Sequence, residues 1–166
     1  RHKAYKRWFK FFVCYVIGSE PLEAGLRVLG AHIDSPRIDV KQDPLYERDN
    51  FALLDTHYYG GIKKYQWVTI PLAIYGVVCK KDGSVIDVAI GDDPTDPIVG
   101  ISDLLIHLSA DQMQKSAAKV IEGEDLDVTL GSMPLKGEEK NAVKANVLRI
   151  LKEKYDFEEA DFVSAE

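Results

Sequence analysis

His32-Ile33-Asp34 is the segment whose residue types most directly suggest chemistry. In an extended backbone, residues i and i+2 face the same way, so the imidazole of His32 and the carboxylate of Asp34 project together. The preceding run, Leu26 to Ile33, is short and apolar, bounded by Gly25 and by Asp34-Ser35-Pro36, and reads as a buried strand of an α/β sheet. The pair would then stand at that strand's C-terminal end, where such sheets place their sites. A neutral imidazole there can ligate zinc, and a nearby carboxylate can take its other ring N–H, fixing tautomer and orientation. Spacing alone is equally met by a hydrogen-bonded histidine closing a strand.

Other reactive side chains have plainer readings. His107, within Asp103-Leu104-Leu105-Ile106-His107-Leu108, reads as a histidine among leucines on a short helix capped by Asp103. His57 precedes Tyr58 and Tyr59 without a second ligand at close spacing, which suits cross-strand packing or hydrogen bonding. Asp92, Asp93 and Asp96 lie among prolines that break any EF-hand register, so they read as solvated turn carboxylates. Gly60-Gly61 fits neither phosphate-loop pattern and reads as a turn or bulge. Gly131-Ser132-Met133-Pro134 is no nucleophile elbow. Cys14 and Cys79 sit in apolar segments and read as buried free thiols. Lys63-Lys64-Tyr65-Gln66-Trp67 suits an exposed strand or a subunit contact.

The elements that must hold these residues change character along the chain. Trp8 to Ile17 is aromatic and β-branched and is followed by Gly18-Ser19-Glu20-Pro21, a strand and then a turn. Val68 to Cys79 and Val85 to Ile90 flank Lys80-Lys81-Asp82-Gly83-Ser84, the signature of a hairpin, with Pro71 at an edge or bulge. Gly91 to Pro97 is a loop, and Ser109 to Lys119 is polar and exposed. Glu138 to Tyr155 carries Val143, Val147, Ile150 and Leu151 at helical spacing. Phe162-Val163-Ser164-Ala165-Glu166 reads as the start of a strand. The expectation is the edge of an α/β sheet followed by an α+β module.

With 166 residues, 46% hydrophobic and 29% charged, the chain can bury a core, which excludes disorder, collagen and coiled coil. A net charge of −6 argues against nucleic acid, although Arg1 to Lys10 holds five basic residues. The longest apolar run, Val68 to Cys79, is twelve residues and contains Pro71, too short for a membrane span. Lys10 splits the basic-aromatic start, and no small-residue cleavage site follows, so it is not a signal peptide. Two cysteines without a disulfide framework suit the cytoplasm. Since the chain opens on Arg1 rather than Met, a fragment is expected.

Three separate motifs then occur in order: Gly30-Ala31-His32-Ile33-Asp34-Ser35-Pro36-Arg37, Asp43-Pro44-Leu45-Tyr46-Glu47 and Thr56-His57-Tyr58-Tyr59-Gly60-Gly61-Ile62. With Gly91-Asp92-Asp93 and Ile101 to Leu108, they resemble the aspartyl aminopeptidase and aminopeptidase I family of zinc exopeptidases over nearly the whole chain, residues 1 to 17 least. The resemblance implies a metal-dependent aminopeptidase that removes N-terminal residues from peptides through water activated by two zinc ions, other divalent metals being possible. It makes His32 a metal ligand and Asp34 the catalytic-site carboxylate orienting it. The remaining ligands and the general base lie downstream in the family, so these 166 residues are expected to be inactive alone. It further implies that residues 1–40 are the edge of the α/β zinc-peptidase sheet and residues 41–166 an inserted, β-rich α+β dimerisation domain. Such inserts build dimers and a larger homo-oligomeric shell and send a histidine, here His107, toward the substrate in a neighbouring subunit. Other readings are an assembly module without chemistry and a small-molecule-binding domain in which His32 and His107 are packed.

Overall fold

The computed structural model describes residues 3–8, 11–32, 35–80, 82–156 and 158–164. They fall into two compact units, Arg1–Ser35 and Pro36–Glu166. In the first, β1 (Lys3–Trp8) and β2 (Phe11–Val16) form an antiparallel pair, with Lys3 opposite Val16 and Trp8 opposite Phe11. The single strand expected over Trp8 to Ile17 is therefore one arm of a hairpin. Cys14 lies on that arm and is exposed, not buried. A short 3-10 turn, Leu22–Ala24, follows.

The apolar run from Leu26 is not a strand over its described residues, and Leu29 is fully exposed. An apolar sequence becomes a strand only where a neighbour supplies ladder partners for its N–H and C=O groups. In the first unit the two strands pair with each other, and none pairs with this run. Ile33 and Asp34 lie outside the described residues.

The second unit is built on a long hairpin that periodicity did not reveal, β3 (Arg37–Arg48) and β4 (Phe51–Tyr59). Asp49 and Asn50 join the strands with φ of 53° and 63°, the left-handed pair that a tight two-residue turn requires and that Asp and Asn tolerate. The ladder pairs Val40 with Thr56 and then Leu45 with Leu54. Residues 41–44 therefore bulge opposite Asp55. Pro44 sits fully buried in this bulge, and because proline has no N–H to donate, the ladder cannot continue through it. The boundary expected at residue 40 falls inside β3, whereas compactness divides the chain after Ser35.

β4 also pairs with β8 (Val128–Gly131), and β8 with β7 (Gly100–Ile101), giving an antiparallel sheet in the order β3-β4-β8-β7. A second hairpin, β5 (Ile74–Cys79) with β6 (Val85–Ile90), turns at Asp82-Gly83-Ser84 as expected. Asp82 accepts from the backbone and hydroxyl of Ser84 at 2.9 and 2.6 Å, and the hydroxyl hydrogen bond draws its carboxyl pKa below the usual value. Cys79, at the end of β5, is exposed. The stretch before β5 is partly the one-turn helix α1 (Lys64–Trp67), not an exposed strand. Gly91 closes the second hairpin with φ of 103°; a Cβ there would lie 2.8 Å from the Leu72 carbonyl oxygen.

Helix α2 (Ala142–Tyr155) buries Val143, Val147 and Leu151 in one core with Leu45, Ala52, Leu54, Leu126 and Val128. Ile150 stays 44% exposed. The helix begins four residues later than its periodicity suggests. Asn141, at φ 50°, makes no side-chain cap. Glu47 on β3 does so instead, its Oε2 accepting the N–H groups of Val143 and Lys144 at 3.0 and 2.9 Å, a carboxylate at the positive end of the helix dipole. Residues Glu159–Ser164 form a 3-10 turn where a strand start was expected.

Buried polar bonds tie the segment before β8 to β4. Thr56 Oγ1 donates to the Leu126 carbonyl at 2.7 Å, and the Thr56 N–H donates to Asp127 Oδ1 at 3.2 Å. Tyr46 donates its hydroxyl to the other carboxylate oxygen of Asp127. Replacing Thr56 by valine keeps the shape and leaves that carbonyl unsatisfied; urea unfolding should show a loss of about 1–3 kcal/mol. Burial, reinforced by Asp127, pushes the Tyr46 hydroxyl from 10.0 up to about 12. A raised phenol pKa favours folding while the group is protonated, a contribution complete below pH 10 and lost as pH rises through 12. Unfolding free energy measured across that window should fall more steeply in the wild type than in Tyr46→Phe; equal slopes would contradict the assignment.

Candidate functional site

β7 ends at Ile101, and the chain then leaves the sheet through Ser102-Asp103-Leu104-Leu105 into a single 3-10 turn, Ile106–Leu108. Asp103 does not cap this turn; Leu105 occupies that position without a side-chain bond. Asp103 Oδ1 instead accepts the Leu104 N–H at 2.7 Å and the Gln112 side-chain amide at 2.9 Å, closing the loop across nine residues. Ser109, 3% exposed, donates to the Ile106 carbonyl at 3.1 Å, and its own carbonyl accepts the Met113 N–H at 2.9 Å. The base of the loop is therefore held at both ends, while its tip carries an exposed His107.

His107 stands out by its neighbours. Leu104, Leu105, Ile106 and Leu108 are 55–71% exposed, so they do not pack the histidine into a core. Contiguous exposed aliphatic side chains around one polar group are typical of surfaces that another molecule covers. The short helix expected here is a single 3-10 turn, which has no stripe broad enough to bury these side chains.

His32 is also exposed and has no hydrogen-bond partner among the described residues. It belongs to the first unit and His107 to the second. Asp34 lies outside the described residues, so the expected His32–Asp34 pairing has no geometry to report. Among the described residues no three His, Cys, Asp or Glu side chains come together in a way that could hold a metal ion. No helix of the described residues is long and apolar enough to cross a membrane.

His57 takes the cross-strand position expected for it, opposite Asp39, with Nε2 3.9 Å from the Asp39 carboxylate. Arg37 donates to the same Asp39 at 2.6 Å and lies over the Tyr59 ring at 4.0 Å. Gly60, at φ 81°, turns the chain out of β4. Of the three turn aspartates, Asp96 is not solvated. Its carboxylate accepts the Lys154 ammonium at 2.8 Å and the Gly91 N–H at 3.0 Å, is 11% exposed and has a depressed pKa, first because of Lys154. A groove of about 1240 Å3, lined by Val40, Ile74, Val88, Leu130 and Val147 among others, opens between the sheet, the second hairpin and α2. Its walls come from four distant segments, so no local motif could have signalled it.

The chain was also compared with known proteins. The model of the aminopeptidase I zinc metalloprotease (M18) family matches residues 5–166. A probable M18 family aminopeptidase 1 of Clostridium acetobutylicum is 61% identical over 158 residues, 95% of this chain and 34% of that protein. One from Thermotoga maritima is 52% identical over 147 residues, 89% of this chain and 32% of that protein. The crystal structure of an M18 family aminopeptidase from Thermotoga maritima superposes with a TM-score of 0.75 at 54% identity, covering 81% of this chain and 29% of that one. The crystal structure of aminopeptidase I from Clostridium acetobutylicum gives 0.74 at 59% identity, covering 93% and 34%. The chain thus spans about a third of the curated relatives it matches. On a family match that runs over nearly its whole length, the chain belongs to the aminopeptidase I (M18) family of zinc metalloproteases.

Proposed function

We propose that these residues are the early and middle part of a metal-dependent aminopeptidase that hydrolyses peptides from their N-termini. They hold one metal ligand, His32, its orienting carboxylate, Asp34, and an assembly unit that presents His107 to a neighbouring subunit. The observation that carries the reading is the exposed His107, set among four exposed aliphatic side chains on a loop anchored at both ends. An imidazole placed this way can donate a hydrogen bond across a subunit boundary to a substrate oxygen. The surrounding leucines and isoleucine suit a covered surface, which supports self-association into dimers and a larger homo-oligomer.

The family's description names zinc. His32, an exposed imidazole with no other hydrogen bond among the described residues, suits one zinc position, but zinc sites normally take three or four protein ligands. The described residues therefore do not complete a metal site. The other ligands of the metal pair come, in this reading, from the remainder of the full-length protein, and the isolated 166 residues are inactive. When bound, the pair supplies an activated water for peptide hydrolysis. Residues 1–40 serve as the edge of the peptidase α/β sheet and residues 41–166 as the inserted dimerisation domain. We place the protein in the cytoplasm, a reading supported by two cysteines that are not joined to each other.

A second reading, assembly without chemistry, is favoured by the fact that unit Pro36–Glu166 holds its own core. Parallel substitutions in the full-length protein separate the two. His107→Ala should lower turnover of aminoacyl-anilides on the order of a hundredfold with zinc content unchanged. His32→Ala should lose both zinc and activity. Zinc loss in the first variant, or unchanged turnover, would contradict the role of His107; an inactive, metal-free wild type would leave the assembly module standing.

A further inference from the structure

Two strands of the larger unit each keep an edge without a strand partner. Among the described residues, β3 ends the sheet β3-β4-β8-β7 and pairs with β4 alone, and β5 pairs with β6 alone. Just before β5, Leu72 forms an isolated bridge with Val99. An edge strand carries a row of N–H and C=O groups that point away from its one partner.

Both edges border the groove of about 1240 Å3. A strand that turns one face to a cavity contributes every second residue, because its side chains alternate. β6 does so, through Val88 and Ile90. β3 and β5 do not: residues 36–42 line the groove without a gap, and so do residues 72–78. Consecutive residues reach one cavity when the strand meets it edge-on, with its backbone toward the space. The floor between the edges is apolar and belongs to the core, since Leu54, Val128, Val147 and Leu151 line it as well. Val40 and Val77, one on each edge strand, remain 39% and 50% exposed. The volume exceeds the roughly 300–1,000 Å3 of small-molecule pockets, and a small ligand would leave both rows of backbone groups unmet.

We propose that the groove is the slot of a further β-strand, which pairs with β3 on one side and β5 on the other and joins the two sheets. The occupant is the segment that follows Glu166 in the full-length protein, about six residues to match β5. The 3-10 turn Glu159–Ser164 packs against both β3 and β5, so the chain is delivered to the two strands that border the slot. Val163-Ser164-Ala165-Glu166 alternates apolar and polar residues, the pattern of a strand with one face on a core and the other in water. The inference rests on the reading of these residues as the early and middle part of a longer chain, in keeping with relatives of which they span 34% and 32%. In such an addition, main-chain hydrogen bonds satisfy both edges while alternate side chains fill the apolar floor.

The test places the photo-crosslinking residue benzoylphenylalanine at Val40 or Val77 of the full-length protein, in assemblies mixed from light and heavy isotope-labelled chains. Irradiation is expected to join both positions to the segment directly after Glu166 of the same chain. The same residue at Met133, exposed and outside the groove, is expected to miss it. Hydrogen exchange on the unmodified full-length protein gives a second readout that no bulky substitution can disturb. Amides of residues 38–40 and 75–77 are expected to exchange uniformly slowly, at least about a hundredfold below the unstructured rate, whereas an empty slot leaves every second one fast. The proposal fails if cross-links join different chains, reach another region or do not form, or if alternate amides in the two strands exchange fast. Neither readout involves metal or turnover. A filled slot in a protein without zinc or activity would overturn the peptidase reading alone, and an active enzyme with an empty slot would overturn the slot alone.

Discussion

The 2.7 Å bond from the Thr56 hydroxyl to the Leu126 carbonyl is the interaction on which the larger unit depends. It lies where both groups are buried, so each would stand without a partner if the other moved. By fixing Leu126, which is completely buried, it sets where the chain enters β8. β8 then pairs Val128 with Leu54 on one edge and with Ile101 on the other. The hydroxyls of Ser102 and Thr129 lie 3.2 Å apart just beyond that ladder. From there the chain leaves the sheet toward His107, so the placement of the candidate substrate-binding histidine follows from the docking of β4 against the Leu126–Asp127 segment.

A second long-range tie acts on the same sheet. Glu47, beside the bulge end of β3, caps α2 across 96 residues of sequence. The first turn of the helix depends on the β3–β4 hairpin for its cap, since the carboxylate that meets its first N–H groups is carried by that hairpin. The bulge at Pro44 and the capping role of Glu47 are thus parts of one arrangement: the bulge lets Leu45 return to the core face, and two residues later Glu47 reaches the helix start.

What could be read from the sequence and what could not divides along local and distant causes. The second hairpin was legible because Asp82-Gly83 and its flanking strands are contained in one window. The body of α2 was legible from Val143, Val147 and Leu151; its first turn was not, because Glu47 lies far away. The first hairpin escaped notice since Asp49-Asn50 is a weaker turn signal than Asn-Gly and the bulge breaks the alternation of β3. Leu26 to Ile33 misled in the other direction, its composition fitting a strand while no described neighbour supplies a ladder. Site residues divide similarly. His32 and His107 are candidates that motifs alone single out, whereas exposure of the aliphatic side chains around His107 required the folded loop.

The functional account rests on one chain supplying its own metal-site histidine and lending a second histidine to its neighbour. Mixing two impaired full-length variants tests this most directly. Chains carrying His107→Ala retain their own metal site, and chains carrying His32→Ala retain a histidine to lend, so assembling them together should raise aminopeptidase activity well above that of either variant alone. Mixed assemblies no more active than the His107→Ala parent, with association confirmed by size, would show that His107 serves its own subunit or none.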